Sequence, residues 1–217
     1  MKIKLQSRSH ERTGHFPRNR RSFSPECALY LVLDIYSRKI VGWEVYERES
    51  GEYASELMQR AVMAEQCSCR SVVLHSDNGA PMKSSTLLAK LEELGVTPSR
   101  GRPRVSDDNP YSESLFRTLK YSPMWPTEGF SDTGEARSWV RRFVDGYNFE
   151  HRHSCIKYVT PVQRHRGEDI AILAKREEIY QKAKSLRPER WSGEIRDWQP
   201  VGKVKLNPDR EKLTNID

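Results

Sequence analysis

Residues 28–47 read ALYLVLDIYSRKIVGWEVYE. The first seven, ALYLVLD, are a dense aliphatic and aromatic run, the texture of a strand buried on both faces. IYSRK at 35–39 supplies a turn, and IVGWEVYE at 40–47 is strand-like again. The stretch therefore predicts an antiparallel hairpin. Outward from it, Leu57, Met58, Ala61 and Val62 share one face of a predicted helix over 53–66. SVVLH at 71–75 predicts a third strand, closed by the turn sequence Ser76-Asp77-Asn78-Gly79. Ser84 or Ser85 can cap a helix that runs to Leu94, with Gly95 just past its end. A short strand over 96–99 and a loop over 100–110 follow. Two amphipathic helices come next, one from about 111 and one over 133–149. A last helix starts near Asp169 and ends near 185. A hairpin followed by alternating helices and strands implies an α/β fold with a mixed sheet flanked by helices.

Lysine and arginine number 37 and aspartate and glutamate 30, for a net charge of +7. Seven bases against Glu11 alone lie within residues 1–22, which carry +6 of that total. A basic balance favours an anionic partner, most often nucleic acid. Residues 1–27 are expected to be a disordered basic leader, although Met1, Ile3 and Leu5 alternate with polar residues as in one short strand. Residues 186–217 are expected to form a loosely packed tail. No apolar run approaches the length of a membrane span. The four cysteines lack scaffold or zinc spacing, and no phosphate-binding glycine motif is present.

Two acids stand at element ends. Asp77 closes a buried strand inside a glycine-containing turn, where open α/β sheets place their binding crevices. Glu113 falls in the first turn of the next amphipathic helix. On the helical period it shares a face with Arg117 and Lys120, opposite Leu115, Phe116 and Leu119. Carboxylates that hold Mg²⁺ beside bases that hold phosphate suit metal-assisted phosphoryl chemistry. Read one at a time, Asp77 is a turn residue and Glu113 a helix-start acid paired with Arg117.

The words around these acids carry more. YLVLDIYSRKIVGW at 30–43, HSDNG at 75–79, SDDNPYSESLFRTLK at 106–120 and YNFEHRHSCIKYVTP at 147–161 occur in that order. In these the chain resembles the integrase-core transposases of bacterial insertion sequences, in particular the downstream-frame product of the two-reading-frame kind. The resemblance covers about 28–166. It implies an RNase H-like fold and a chemistry in which acids hold Mg²⁺ or Mn²⁺ for cleavage and strand transfer of DNA. Asp77 matches the second acid and Glu113 the third, and both would be catalytic metal ligands. Lys120 matches a DNA-contacting base, with Arg117 beside it, and Asn109 matches an active-site-loop residue grouped with the DNA contacts. The implied partners are transposon-end and target DNA, an upstream-frame helix-turn-helix protein, and further copies on DNA. The implied location is the cytoplasm, at the nucleoid.

The family's first acid belongs on the strand before ALYLVLD, yet no aspartate occurs in residues 1–33. Asp34 matches a different position, the acid of DxxSR, and reads as a turn cap pairing with Arg38. The first strand is thus expected to be missing or replaced, in an N-terminally truncated or altered copy. The expected organisation is a leader (1–27), a catalytic core (28–166) and a C-terminal helix and tail (167–217). Two other functions are compatible with these residues: a non-catalytic DNA-binding or inhibitory fragment, and an RNase H-like metal-dependent nuclease.

Overall fold

A computed structural model describes residues 2–8, 27–67, 71–101, 110–126 and 129–204. Its centre is a five-stranded mixed sheet in the order β3-β2-β1-β4-β5. The strands are β1 (Lys2–Arg8), β2 (Ala28–Asp34), β3 (Ile40–Tyr46), β4 (Val72–Ser76) and β5 (Val96–Arg100). The predicted hairpin forms as β2 and β3, antiparallel from Ala28↔Tyr46 to Leu33↔Ile40. β4 and β5 run parallel to each other, from Val72↔Val96 to Ser76↔Arg100.

Of the two expected outcomes, a first strand missing or replaced, the first does not hold: Lys2–Arg8 fill that place in the sheet, so these residues of the leader are not disordered. These residues form the middle strand, antiparallel to β2 (Ile3↔Asp34 to Arg8↔Leu29) and parallel to β4 (Lys2↔Val73 to Leu5↔Ser76). The physical reason is the pairing demand on both sides. Without β1, the inner edges of β2 and β4 would bury backbone donors and acceptors with no partners. Residues 9–26 lie outside the described residues.

Both faces of the sheet are covered. α1 (Gly51–Ala64) and α2 (Ser85–Glu93) seal one face through Leu57, Met58, Ala61, Leu87 and Leu91 against Tyr30, Val32 and Leu74. Ser84, not Ser85, caps α2, its hydroxyl accepting from the Leu87 N–H. α3 (Pro110–Lys120) and α4 (Thr133–Asp145) seal the other through Leu115, Phe116, Trp139, Val140 and Phe143 against Leu29, Leu31 and Leu33.

The predicted helix over 133–149 stops being α-helical at Asp145. Residues Gly146–Glu150 widen into one π turn, which buries Tyr147 and Asn148 together. Asn148 then clasps Ile40 with both ends of its amide. Its Oδ1 accepts from the Ile40 N–H at 2.9 Å, and its Nδ2 donates to the Ile40 carbonyl at 2.9 Å. Ile40 adjoins the irregularity in the β2–β3 register, where ladder bonds are interrupted. Asn148→Ala would leave two buried backbone groups unpaired. A loss of about 2 to 3 kcal/mol is expected, checked by urea denaturation at neutral pH; an unchanged midpoint would show that water replaces the amide there.

The C-terminal segment is not a loose tail as far as residue 204. After α5 (Pro161–His165) and α6 (Asp169–Leu186) the chain returns, and Trp198 is buried with Ile156, Val159 and Leu173. Lys157 pairs with Asp197 at 2.8 Å. Arg176 donates to the carbonyls of Lys157 and Tyr158. The expected boundary at 166/167 therefore cuts through one packed cluster, and the aromatic and basic spacing that looked like solvated tail is what packs it. Residues 205–217 lie outside the described residues.

Candidate active site

β4 carries Asp77 to the rim of the sheet. The strand is buried because Val72 and Leu74 sit under α1 and α2. It ends where Asp77 turns the chain, its Oδ1 accepting from the Gly79 N–H at 3.0 Å. The turn is pinned to the exit of β5. Gly101 N–H donates to the Ser76 carbonyl, and Asn78 Nδ2 donates to the Gly101 carbonyl at 3.0 Å. Asp77 is half-buried and held by its backbone turn, with no cation paired to it among the described residues. His75, one step inside the strand, is buried with Nδ1 3.2 Å from Ser99 Oγ, which is a structural position.

Glu113 lies in the first turn of α3 and is exposed. Its orientation follows from the opposite stripe. Leu115, Phe116 and Leu119 are driven into the core, so Glu113 and Arg117 face solvent and Lys120 is half-buried. The face with one acid and two bases read from the sequence is thus present on the described helix. Asn109 lies outside the described residues.

The strand between β2 and β4 bears on the acid count. Its residues are KIKLQSR, with Leu5 opposite Ser76, so the chain neighbour of Asp77 across the sheet is a strand without a carboxylate. No group of three or more histidine, cysteine, aspartate or glutamate side chains that could hold a metal occurs among the described residues. Hard oxygen donors such as Asp77 and Glu113 match Mg²⁺, which keeps several waters and takes one or two protein carboxylates.

A second polar cluster lies at the β2–β3 turn. Asp34 caps that turn as expected, accepting from the N–H groups of Tyr36 and Ser37 and from Ser37 Oγ. Its ionic partner is not Arg38. Asp34 Oδ2 is 3.4 Å from His165 Nδ1, and His165 Nε2 is 2.8 Å from Glu65, which also pairs with Lys39 at 2.6 Å. Arg38 adopts φ 68° and lays its guanidinium 4.0 Å over the Tyr111 ring. Burial pushes the Asp34 carboxyl up, but the hydrogen bonds from His165 and Ser37 outweigh it and hold it below the ordinary range. The His165 bond holds Glu65 low as well. Those two carboxylates raise His165 to about 9.

This cluster is a clasp with a defined pH dependence. His165 is protonated in the folded chain at pH values where the unfolded chain has lost the proton. Its contribution is complete below the unfolded value near 6.5 and disappears as pH rises through about 9. The Asp34 and Glu65 contributions run the other way, present above their unfolded values and lost on acidification. Because His165 is partly exposed, the alkaline loss is expected to be about 2 kcal/mol between roughly pH 6 and pH 9. Denaturation curves at the two pH values should show it in the native chain and not in His165→Gln; an equal loss in both would assign it elsewhere.

The trailing YN…HS…TP word is the other half of that clasp. Thr160 and Gln163 form a reciprocal capping box that starts α5. α5 then presents Arg164 to the Tyr36 carbonyl at 2.7 Å and His165 to Asp34. Sequence reading did not single out Asn148, Arg164 or His165; Asn148 lies within the trailing word at 147–161, and Arg164 and His165 follow just after its end.

Residues 11–106 match one integrase core domain family, and residues 94–161 match a second of the same description. The chain is 29% identical over 139 residues to the transposase for insertion sequence element IS904 of Lactococcus lactis, covering 63% of this chain and 54% of that protein. It is 28% identical over 136 residues to transposase InsF for insertion sequence IS3A of Escherichia coli, covering 62% and 46%. Against the putative transposase for IS986/IS6110 of Mycobacterium tuberculosis it is 27% identical, covering 61% and 49%. The chain thus spans about half the length of the relatives it matches. Among solved structures, the catalytic core domain of BIV integrase superposes with a TM-score of 0.54 at 16% identity, over 77% of this chain and 95% of that one. A chain of the simian T-cell lymphotropic virus intasome superposes at 0.52 and 13% identity, over 75% and 52%. The two integrase core domain matches together span residues 11–161, and with its RNase H-like mixed sheet the chain is similar to the insertion-sequence transposases.

Proposed function

We propose that this chain is the catalytic-core portion of an insertion-sequence transposase, acting on the phosphodiester backbone of transposon-end and target DNA. The observation that carries this reading is the placement of Asp77 at the end of a buried parallel strand and of Glu113 on a helix face shared with Arg117 and Lys120. Asp77 and Glu113 would hold Mg²⁺ or Mn²⁺. When bound, such an ion neutralises charge that develops on phosphate oxygens during displacement. The chain's own residues do the positioning. The Asp77 turn is pinned to β5, so its carboxylate is presented with little freedom. Arg117 and Lys120 would hold backbone phosphates on either side of the scissile bond, without reading bases. Asn109, just before α3 in the chain, would contact DNA. Sequence selectivity would come from an upstream-frame helix-turn-helix protein, with further copies of this chain assembling on the DNA in the cytoplasm, at the nucleoid.

A second reading is favoured by one observation, the absence of an acid on β1. In it the chain binds DNA without cutting and poisons an intact transposase. Supercoiled plasmid nicking in Mg²⁺ and Mn²⁺ separates the two. Nicking lost in Glu113→Gln supports the catalytic core. DNA binding in EDTA without nicking, together with a lower transposition frequency on co-expression with an intact relative, supports the inhibitory fragment. A plain nuclease would nick but fail a strand-transfer assay.

A further inference from the structure

We propose that Arg38 is a DNA-backbone contact, a phosphate-binding position at the β2–β3 turn beside the start of α3. The proposal rests on the reading of this chain as a DNA-acting core.

The geometry isolates an unspent cation. The Arg38 N–H closes the turn on the Asp34 carbonyl at 2.8 Å, in the left-handed region that an arginine seldom occupies. That backbone aims the side chain out of the turn and over Tyr111, with the guanidinium carbon 4.0 Å from the ring centroid. Tyr111 covers one face of the planar group, so what remains for a ligand is its edge. Arg38 Nε is buried and has no hydrogen-bond partner, and no side-chain hydrogen bond or ion pair to Arg38 occurs among the described residues. Asp34, the nearest acid along the chain, is committed to Ser37 and His165.

The described groups on which Arg38 acts are basic or neutral. Arg38 acts electrostatically on Tyr147, His153 and Arg164. His153 is held neutral, lowered to about 4 by burial and then by the charges of Arg38 and His151. His153 Nδ1 accepts from the Cys155 N–H, which fixes the ring with its other nitrogen as the donor. His151 stacks on Tyr147 and meets His153 edge-on. A stacked guanidinium with no side-chain hydrogen bond or ion pair among the described residues is suited to a phosphate oxygen pair. Tyr111 lies two residues before Glu113 on α3, so the site adjoins the helix that carries the proposed acid and phosphate-holding bases.

The test is binding of the full chain to a labelled duplex of roughly 30 base pairs in EDTA, titrated between about 50 and 200 mM salt. Arg38→Gln is expected to bind about tenfold more weakly at the low-salt end, with the slope of log K against log salt reduced by about 0.9, one phosphate contact. Arg38→Lys should restore the slope and only part of the affinity, because an ammonium lacks the fork and the stacking plane. It also serves if Arg38→Gln fails to fold: threefold or greater weakening at an unchanged slope supports the site, and native affinity overturns it. Arg117→Gln separates the two levels of the argument. If Arg117→Gln weakens binding while Arg38→Gln matches the native chain in affinity and slope, the Arg38 site is wrong and the DNA-acting reading stands. If the native chain shows no salt-dependent binding, both fall.

Discussion

Asp77→Asn is expected to abolish divalent-metal binding at the candidate site and, with it, any nicking of DNA. The substitution is nearly isosteric. The asparagine oxygen can still accept from the Gly79 N–H, so the turn between β4 and β5 should persist. What disappears is the charge. Glu113 would then be the one remaining acid of the pair, exposed on α3 and with no three-member metal cluster among the described residues to support it. A single exposed carboxylate holds Mg²⁺ or Mn²⁺ weakly, because the hydrated ion gains little from it. Mn²⁺ binding followed by water-proton relaxation should weaken by at least about tenfold, and nicking, where present, by at least about a hundredfold, since phosphoryl transfer depends on positioning and charge neutralisation. Native Mn²⁺ affinity in Asp77→Asn would remove Asp77 from the site.

Arg164→Met is expected to be the most destabilising single substitution at the clasp. Arg164 is 1% exposed, although it carries a full charge. Its Nε donates to the Tyr36 carbonyl at 2.7 Å and its Nη2 to the Val201 carbonyl at 2.8 Å. Its Nη1 lies 3.9 Å from Asp169, itself 2% exposed, and its plane covers the Tyr36 ring. One side chain thus joins the β2–β3 turn, the start of α6 and the returning C-terminal segment. Burial lowers its proton affinity, yet the group stays charged, as arginine does in proteins. Methionine fills much of the volume but leaves Asp169 buried without its cation and two carbonyls without donors. Breaking such a pair costs about 3 to 5 kcal/mol, which corresponds to roughly 10 °C or more in Tm for a chain of this size. The double variant Arg164→Met with Asp169→Asn should recover part of the loss, because the stranded charge is gone. A melt within a degree or two of native for Arg164→Met would show that the C-terminal segment does not depend on this residue.

The two predictions divide the molecule by function. Asp77 sits at the end of β4 and Glu113 on the exposed stripe of α3, where groups face solvent and can meet DNA. Asn148, Arg164 and His165 hold the β2–β3 turn from beneath. Asn148 in the trailing sequence word, with Arg164 and His165 just beyond it, thereby acquires a structural role: together they fasten the hairpin that forms one side of the sheet.

Much of this was written locally. The hairpin of β2 and β3 follows from two apolar runs and a short turn, all within 19 residues of chain. The stripe of α3 that exposes Glu113 and Arg117 follows from the positions of Leu115, Phe116 and Leu119. Asp77 at a strand-to-turn boundary follows from the neighbouring words VVLHS and DNG. In each case the deciding interactions lie within a few residues, where periodicity and turn chemistry report them. Tertiary structure decided what depends on distant partners. Lys2–Arg8 alternates as a strand does but is too polar to announce itself as a central one; it becomes one because β2 and β4 each present an edge that must be paired. Asp34 prefers His165, 131 residues away, to the adjacent Arg38, because the turn sends Arg38 out over Tyr111 while α5 brings the imidazole in. Trp198 is buried because Ile156, Val159 and Leu173 leave an apolar face that only a returning chain can cover. Local pattern sets which groups are offered to the interior and which to solvent; the choice of partner among them is made by the packing of segments far apart in sequence.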